Sequence, residues 1–267
     1  MKPVSFRTLL LSLYTLLAVA FIFTPIIANI VFSFNADRFP TLPLGDFSLR
    51  WYEEIFGDAN IRRGLINSLI IAGATAVIAT GLGFSAAYID YRYNFFGKTA
   101  FMAMVSLPPT VPVVILGLGM LTFQSQIGLT GTLAGIVTAH VVYCAPFALA
   151  LIRMRLASLD PDIEPAAWNL GASLGATVRS VVLPFCMPAI VASFFLCAAV
   201  SFDEFMIAWF ISGNNETLPV RVLTMLQGQV SPRINAVGTV VFLFTITMIV
   251  ISQTLTAKRP GAGHKTH

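Results

Sequence analysis

An all-α membrane protein is what this sequence predicts, and three observations carry the prediction. The 267 residues are 57% hydrophobic and only 10% charged, with a mean hydropathy of +0.82. A soluble domain carries about a quarter charged residues, and a fold of this size cannot hide so much apolar side chain, so lipid must be the solvent for much of it. The few charges are spaced to leave long apolar runs, near or above the roughly 20 residues a helix needs to cross hydrocarbon. These runs are too long and too uniformly apolar for barrel strands, and a helix satisfies its own backbone hydrogen bonds where water is absent.

Reading the charge-free intervals in order gives about six transmembrane helices in a single domain, 1–267: spans near 8–34, 66–89, 99–123, 131–153, 188–211 and 234–255. Nothing between Arg7 and Asp37, or between Arg63 and Asp90, is charged. The first run is longer than a signal-peptide core of roughly 7–15 residues and no cleavage pattern follows it, so it reads as a retained span. The interval from Lys98 to Arg153 holds two spans, with Gln124, Gln126, Gly128 and Gly131 marking the turn between them. Pro108, Pro109 and Pro112 kink or break span 3, or hold its start off-helix. Gly81-Leu82-Gly83 and Gly117-Leu118-Gly119 permit close helix approach.

Lysine and arginine in the short connections set the orientation. With the N-terminus inside, Lys2, Arg7, Arg92, Lys98, Arg153, Arg155, Arg179, Lys258, Arg259 and Lys265 are inner, and Arg38, Arg50, Arg62, Arg63, Arg221 and Arg233 are outer. The outer positives are matched by Asp37, Asp46, Glu53, Glu54, Asp58 and Glu216. Both termini are therefore expected in the cytoplasm. The net charge of +4 is too small to suggest nucleic-acid binding. Outer segment 35–65 contains Phe47-Ser48-Leu49-Arg50-Trp51-Tyr52, which suits a short interfacial helix. This segment and outer segment 212–233 either meet an extracytoplasmic partner or line the bilayer surface. Cys144, Cys186 and Cys197 sit in apolar runs without metal-ligand spacing and read as packing residues. His140 is the intramembrane histidine and reads first as a packing donor; His264 and His267 belong to the tail.

Segment 154–187, between spans 4 and 5, is unusually long. Asp160-Pro161-Asp162-Ile163-Glu164-Pro165-Ala166-Ala167-Trp168-Asn169-Leu170-Gly171 predicts a short helix capped by Asp160 or Asp162, with Pro161 or Pro165 in its opening turn and Gly171 permitting a turn. Val178, Val181 and Val182 pack a second short helix. The small, apolar surface of Ala166, Ala167, Trp168 and Leu170 either docks onto a partner or caps the chain's own bundle.

This segment resembles the cytoplasmic loop of type I ABC importer permeases, whose pattern is Glu-Ala-Ala, three residues, Gly, and then Leu-Pro further on. Ala166, Ala167, Gly171, Leu183 and Pro184 match in spacing; Pro165 stands where the motif has Glu, with Glu164 one residue earlier. The likeness continues through Asn67-Ser68-Leu69, Phe96-Gly97-Lys98, Leu107-Pro108, Ser201-Phe202-Asp203-Glu204-Phe205 and Thr217-Leu218-Pro219-Val220, a combination similar to the second permease subunit of spermidine/putrescine importers and their opine, aminophosphonate and ferric-ion relatives. The resemblance implies the type I permease fold in a bacterial inner membrane. It also implies a heterodimer with a second permease, two ATPase subunits that hold ATP and Mg, and a periplasmic substrate-binding protein. Glu164, Ala166, Ala167, Gly171, Leu183 and Pro184 would then be the ATPase-coupling residues.

This chain has no Gly-x-x-x-x-Gly-Lys-Ser/Thr run, so ATP must be handled by another chain. No cofactor, metal site or catalytic constellation is expected here, since HExxH, clustered His and Ser/Lys or Ser/His pairs are missing from the sequence. Asp203 and Glu204 are the telling intramembrane charges. They lie about 15 residues, or roughly 23 Å, along span 5, in the outer half of the bilayer, and about 100° apart on a helix. A charge at membrane depth costs on the order of 3 kcal/mol, so such groups are functional or paired. With Phe202, Phe205, Trp209 and Tyr143 they form a candidate pathway for a cationic solute, through charge and cation–π contact. The other reading is a salt bridge or a gate. The competing class, an ion-gradient-driven secondary transporter, needs a coupling-ion site and paired repeats within one chain.

Overall fold

The computed structural model describes residues 6–37, 43–228 and 232–257. Lys2, Arg38, Lys258, Arg259, Lys265, His264 and His267 lie outside the described residues. In order, the helices are α1 (Phe6–Ser33), α2 (Arg50–Gly57), α3 (Ala59–Arg92), α4 (Lys98–Ser106), α5 (Val113–Gln126), α6 (Leu133–Leu156), α7 (Ile163–Asn169), α8 (Leu174–Thr177), α9 (Leu183–Asp203), α10 (Met206–Ile211), α11 (Leu218–Gly228) and α12 (Arg233–Ala257). Five stretches among them are long and apolar enough to cross a membrane: Arg7–Ser33, Ala59–Arg92, Leu133–Leu156, Leu174–Asp203 and Arg233–Thr256.

Two expectations change, and one alternative is selected. The third span, 99–123, is broken at its prolines into two shorter helices. α4 stops at Ser106, Pro108–Thr110 form a 3-10 turn, and α5 starts after Pro112. Three prolines in five residues remove three backbone donors, and Val111, before Pro112, is extended (φ −79°, ψ 135°). The fifth span, expected over 188–211, is shifted and broken. Its helix ends at Asp203, Glu204 turns extended (φ −69°, ψ 120°), and α10 begins at Met206. The second short helix of segment 154–187 is not separate. α8 runs through a π-helical turn, Val178–Val182, straight into α9. Within segment 212–233, Leu218–Gly228 forms α11.

The chain divides into two compact bodies. The first is drawn from Met1–Arg62 and Val222–Phe242. Here Trp51 is buried and donates from Nε1 to Asn35 O (2.6 Å), so this ring faces inward rather than toward a bilayer surface. Ser33 Oγ and Tyr52 OH are 2.7 Å apart, and Phe34 stacks on Phe47. Arg233 ties the start of α12 to Asp58 (Nη2–Oδ2, 2.8 Å), and Asn29 donates to Asn235 O and Thr239 Oγ1.

The second body is drawn from Arg63–Arg221 and Leu243–His267. α6 packs along α9, and α10 packs on α5. Buried Gln124 donates from Nε2 to Gly135 O (2.8 Å) and Thr138 Oγ1 (3.2 Å), while its Oε1 has no recorded partner. All three cysteines are free and buried; Cys144 and Cys197 each point at the other's carbonyl across the α6–α9 seam. The glycines of α3 differ in role. A Cβ on Gly83 would sit 2.6 Å from Ala148 Cβ and 2.7 Å from Leu149 N, whereas one on Gly81 meets nothing within 4 Å. Gly83→Ala is therefore expected to destabilise by about 1–3 kcal/mol, since the obstacle is the α6 backbone. Gly81→Ala should be neutral or slightly stabilising. Thermal melting of the purified protein in detergent checks the contrast.

Candidate functional site

Two places in the second body concentrate polar chemistry. The first is the break between α9 and α10. Its local cause is visible at Glu204, whose carboxylate bends back over the first turn of α10. Oε1 and Oε2 both accept from Ile207 N (3.1 and 2.9 Å), and Oε2 also accepts from Ala208 N (3.2 Å). These are donors that an α-helix leaves unsatisfied at its start, and a carboxylate is favoured there by the helix dipole. Asp203 and Glu204 consequently do not sit on one helix. Glu204 is 9% exposed and engaged, while Asp203 is exposed and has no recorded hydrogen bond or ion pair.

Both acids line a cavity of about 460 Å³ with Val113, Tyr143, Ala199, Val200, Phe205, Met206, Thr245 and Ile249. Of the sequence-predicted pathway residues, the structure thus brings Asp203, Glu204, Tyr143 and Phe205 together. Phe202 is not among the lining residues. It is buried against Phe244, with ring centroids 4.0 Å apart. Trp209 is not there either; it is 6.0 Å from Phe205, centroid to centroid. Sequence reasoning set His140 aside as packing. It is wholly buried behind the cavity wall, Nδ1 2.8 Å from Ser201 Oγ and Nε2 3.4 Å from Glu204 Oε2. The signal for it was the pairing of one intramembrane histidine with intramembrane acids, which no spacing rule connects across 64 residues of chain. Asn67 and Ser68, at the start of α3, bind the segment after α10: Asn67 Nδ2 donates to Glu216 O and Leu218 N donates to Ser68 Oγ.

The second place is segment 157–182. Asp162 is the N-cap residue of α7 without a side-chain cap bond, and Pro165 falls in the first turn, where its missing donor is no loss. Gly171 (φ +87°) makes the left-handed turn before α8, whose N-cap Ser173 accepts from Ala176 N. Ala166 is exposed, Ala167 is half-buried, Leu170 is 89% exposed, and Ile163 and Leu174 are exposed as well. This is an apolar outward face. Glu164 turns the other way. It is 3% exposed and pairs with Arg92 at the end of α3 (Oε2–Nε, 3.3 Å), whose guanidinium lies over Trp168 at 4.3 Å. Leu183 and Pro184 form the first turn of α9. Arg155 donates from Nε to Phe185 O (3.1 Å), and Arg153 pairs with Asp90 at 2.6 Å, so both arginines hold the ends of spans together.

Burial pushes the Glu164 carboxyl above its usual range, and the Arg92 charge only partly offsets this. A carboxyl whose folded value is raised costs the folded state once ionised. Stability is therefore highest with the acid protonated and falls as pH rises through the raised value. Glu164→Gln should accordingly raise the melting temperature at pH 7, by on the order of 2 °C. The gain should shrink as pH is lowered toward the carboxylate range, which melting curves at several pH values test.

The chain matches the family of binding-protein-dependent transport system inner membrane components over residues 79–258, and it belongs to that family. It is 31% identical over 253 residues to the spermidine/putrescine transport system permease protein PotC of Haemophilus influenzae, covering 94% of this chain and 98% of that one. It is 35% identical over 234 residues to the putrescine transport system permease protein PotI of Escherichia coli, covering 85% and 83%. Among solved structures, a bacterial ABC transporter involved in import of the acidic polysaccharide alginate superposes with a TM-score of 0.72 at 18% identity, over 96% of this chain and 97% of that one. The inward-facing MetNI methionine ABC transporter gives 0.61 at 18% identity, over 73% and 94%. The chain is thus a multi-pass inner-membrane permease component of an ABC importer, with the type I permease fold. Nothing in the fold or its relatives favours an ion-gradient-driven carrier.

Proposed function

We propose that this permease forms one half of the translocation pathway of an ATP-driven polyamine importer. A second permease, two ATPase subunits carrying ATP and Mg, and a periplasmic binding protein complete the assembly. The observation that carries the solute class is the cavity at the α9–α10 break. An exposed carboxylate, Asp203, faces it without a partner, flanked by the aromatic rings of Tyr143 and Phe205. An ammonium group is the complement of that surface, by charge and by cation–π attraction. A discontinuous span at a solute site is the general device of membrane carriers, because irregular backbone is tolerated at membrane depth only where it lines a cavity. The relatives named for spermidine and putrescine support the same choice.

Segment 157–182 is the coupling element on this reading, in the cytoplasm with both termini. Leu170, Leu174 and Ile163 offer the apolar face to an ATPase, with Ala166 and Ala167 beside them, Gly171 shaping the turn and Leu183-Pro184 starting α9. Glu164 contributes from inside, through Arg92.

Uptake by the whole complex in proteoliposomes, with its binding protein in the lumen-opposite compartment and ATP on the other side, tests the solute. Putrescine or spermidine should be taken up in preference to an opine or an aminophosphonate; the reverse order refutes the polyamine reading. Asp203→Asn should raise the half-saturating polyamine concentration about tenfold, equivalent to about 1.4 kcal/mol. Phe202→Leu, away from the cavity, should lower stability and leave that concentration unchanged. Gly171→Leu, strained at positive φ by roughly 1–2 kcal/mol, should uncouple ATP hydrolysis from uptake.

A further inference from the structure

We infer that His140 is the positioning residue of the solute site: it holds Glu204 in place as the cap of α10, so that Asp203 alone addresses the solute. The inference rests on the cavity being the pathway, not on which solute fills it.

A fully buried imidazole in a membrane span is costly unless its nitrogens are used. Nδ1 is used, 2.8 Å from Ser201 Oγ; Nε2 makes no hydrogen bond and stands 3.4 Å from Glu204 Oε2, at ion-pair distance. Electrostatics fixes the proton. A lone pair on Nε2 would face an oxygen of the Glu204 carboxyl, whereas a hydrogen there is attracted to it. The neutral ring therefore carries its hydrogen on Nε2 and accepts from the Ser201 hydroxyl at Nδ1. The imidazolium keeps the Nε2 hydrogen and donates from Nδ1 to the same hydroxyl oxygen. In both forms Nε2 carries the hydrogen, 3.4 Å from Glu204 Oε2. Among the described residues, the basic group recorded against Glu204 is His140; the other titratable groups nearby are Tyr143 on α6 and Asp203 at the end of α9.

Glu204 is thereby held from two sides. Ile207 N and Ala208 N bind it from α10, and His140 lies against it from α6. Both its oxygens accept backbone hydrogen bonds, and it is almost buried. Asp203, one residue earlier, has none of these partners and is exposed to the cavity. Two adjacent acids of the same charge are thus given separate duties by their surroundings: one keeps the helix broken, the other offers a free carboxylate. Removing the ring leaves a buried carboxylate short of a partner at the hinge, and the site loses its shape before it loses its charge.

The test is a double-variant cycle in the complete importer complex, reconstituted with its binding protein: wild type, His140→Leu, Glu204→Gln and the pair, with His140→Gln alongside. His140→Leu should lower the maximal uptake rate of putrescine about tenfold and change the half-saturating concentration far less. His140→Gln, whose amide can donate to Glu204, should recover most of the rate. The pair should transport at least about threefold faster than the product of the two single effects, because Glu204→Gln removes the stranded charge. Wild-type rates in His140→Leu, or single effects that simply multiply with no rescue by glutamine, overturn the inference. If the wild-type complex takes up neither putrescine nor spermidine, the polyamine reading fails on its own. The coupling is then read from melting temperatures of the same assembled complexes, where non-additivity supports it and additivity overturns it.

Discussion

A carboxylate that bonds to the backbone of the next helix is what the rest of this site depends on. α9 arrives at Asp203 as a regular helix in an apolar environment where every unpaired amide is expensive. Stopping it there frees the backbone donors of the following turn, and the break persists because Glu204 returns to satisfy Ile207 N and Ala208 N. Without those bonds the cheaper arrangement is a continuous helix, which closes the cavity and swings Asp203 and Glu204 onto adjacent positions of one cylinder. The break in turn presents Asp203, Tyr143 and Phe205 to a common space.

The same helix connects the two regions of interest. From Leu174 to Asp203 the chain is helical for 30 residues, about 45 Å at 1.5 Å per residue, with the exposed turn at Gly171 just before one end and the acid pair at the other. On the proposed reading, an ATPase that pulls on Leu170 and Leu174 acts on a stiff rod whose far end carries Asp203, the carboxylate that meets the solute. Packed elements with two discrete arrangements transmit small shifts in this way. The Glu164–Arg92 pair and the Arg92–Trp168 contact clamp α7 to the end of α3, so that α7 and α3 move together.

Much of this was legible in the sequence, for reasons that can be named. Apolar run length fixes helices in a membrane because no other backbone arrangement is affordable there, so α1, α3, α6 and α12 were found where charge-free intervals lay. The glycine turn at Gly171 was readable because only glycine takes φ +87° cheaply. What escaped was whatever depends on side chains meeting across the fold. Hydropathy saw 188–211 as uninterrupted and had no means of knowing that Glu204 would cap a new helix inside it. It likewise placed Phe202, Phe205 and Trp209 together at the site by their nearness in sequence, whereas with the turn at Glu204 only Phe205 of the three lines the cavity and Phe202 lies against Phe244. Glu164 was carried over as a coupling residue from its place beside the motif; nothing in the sequence signals that its side chain is buried against Arg92.

Photo-crosslinking tests the central claim, that the α9–α10 break is where the solute binds, most directly. A putrescine derivative bearing a diazirine would be irradiated with the assembled importer and the labelled peptides mapped by mass spectrometry. The account predicts labels on Tyr143, Phe205 or Met206 that excess putrescine removes. Competed labels confined to other spans, with none on these residues, would contradict it.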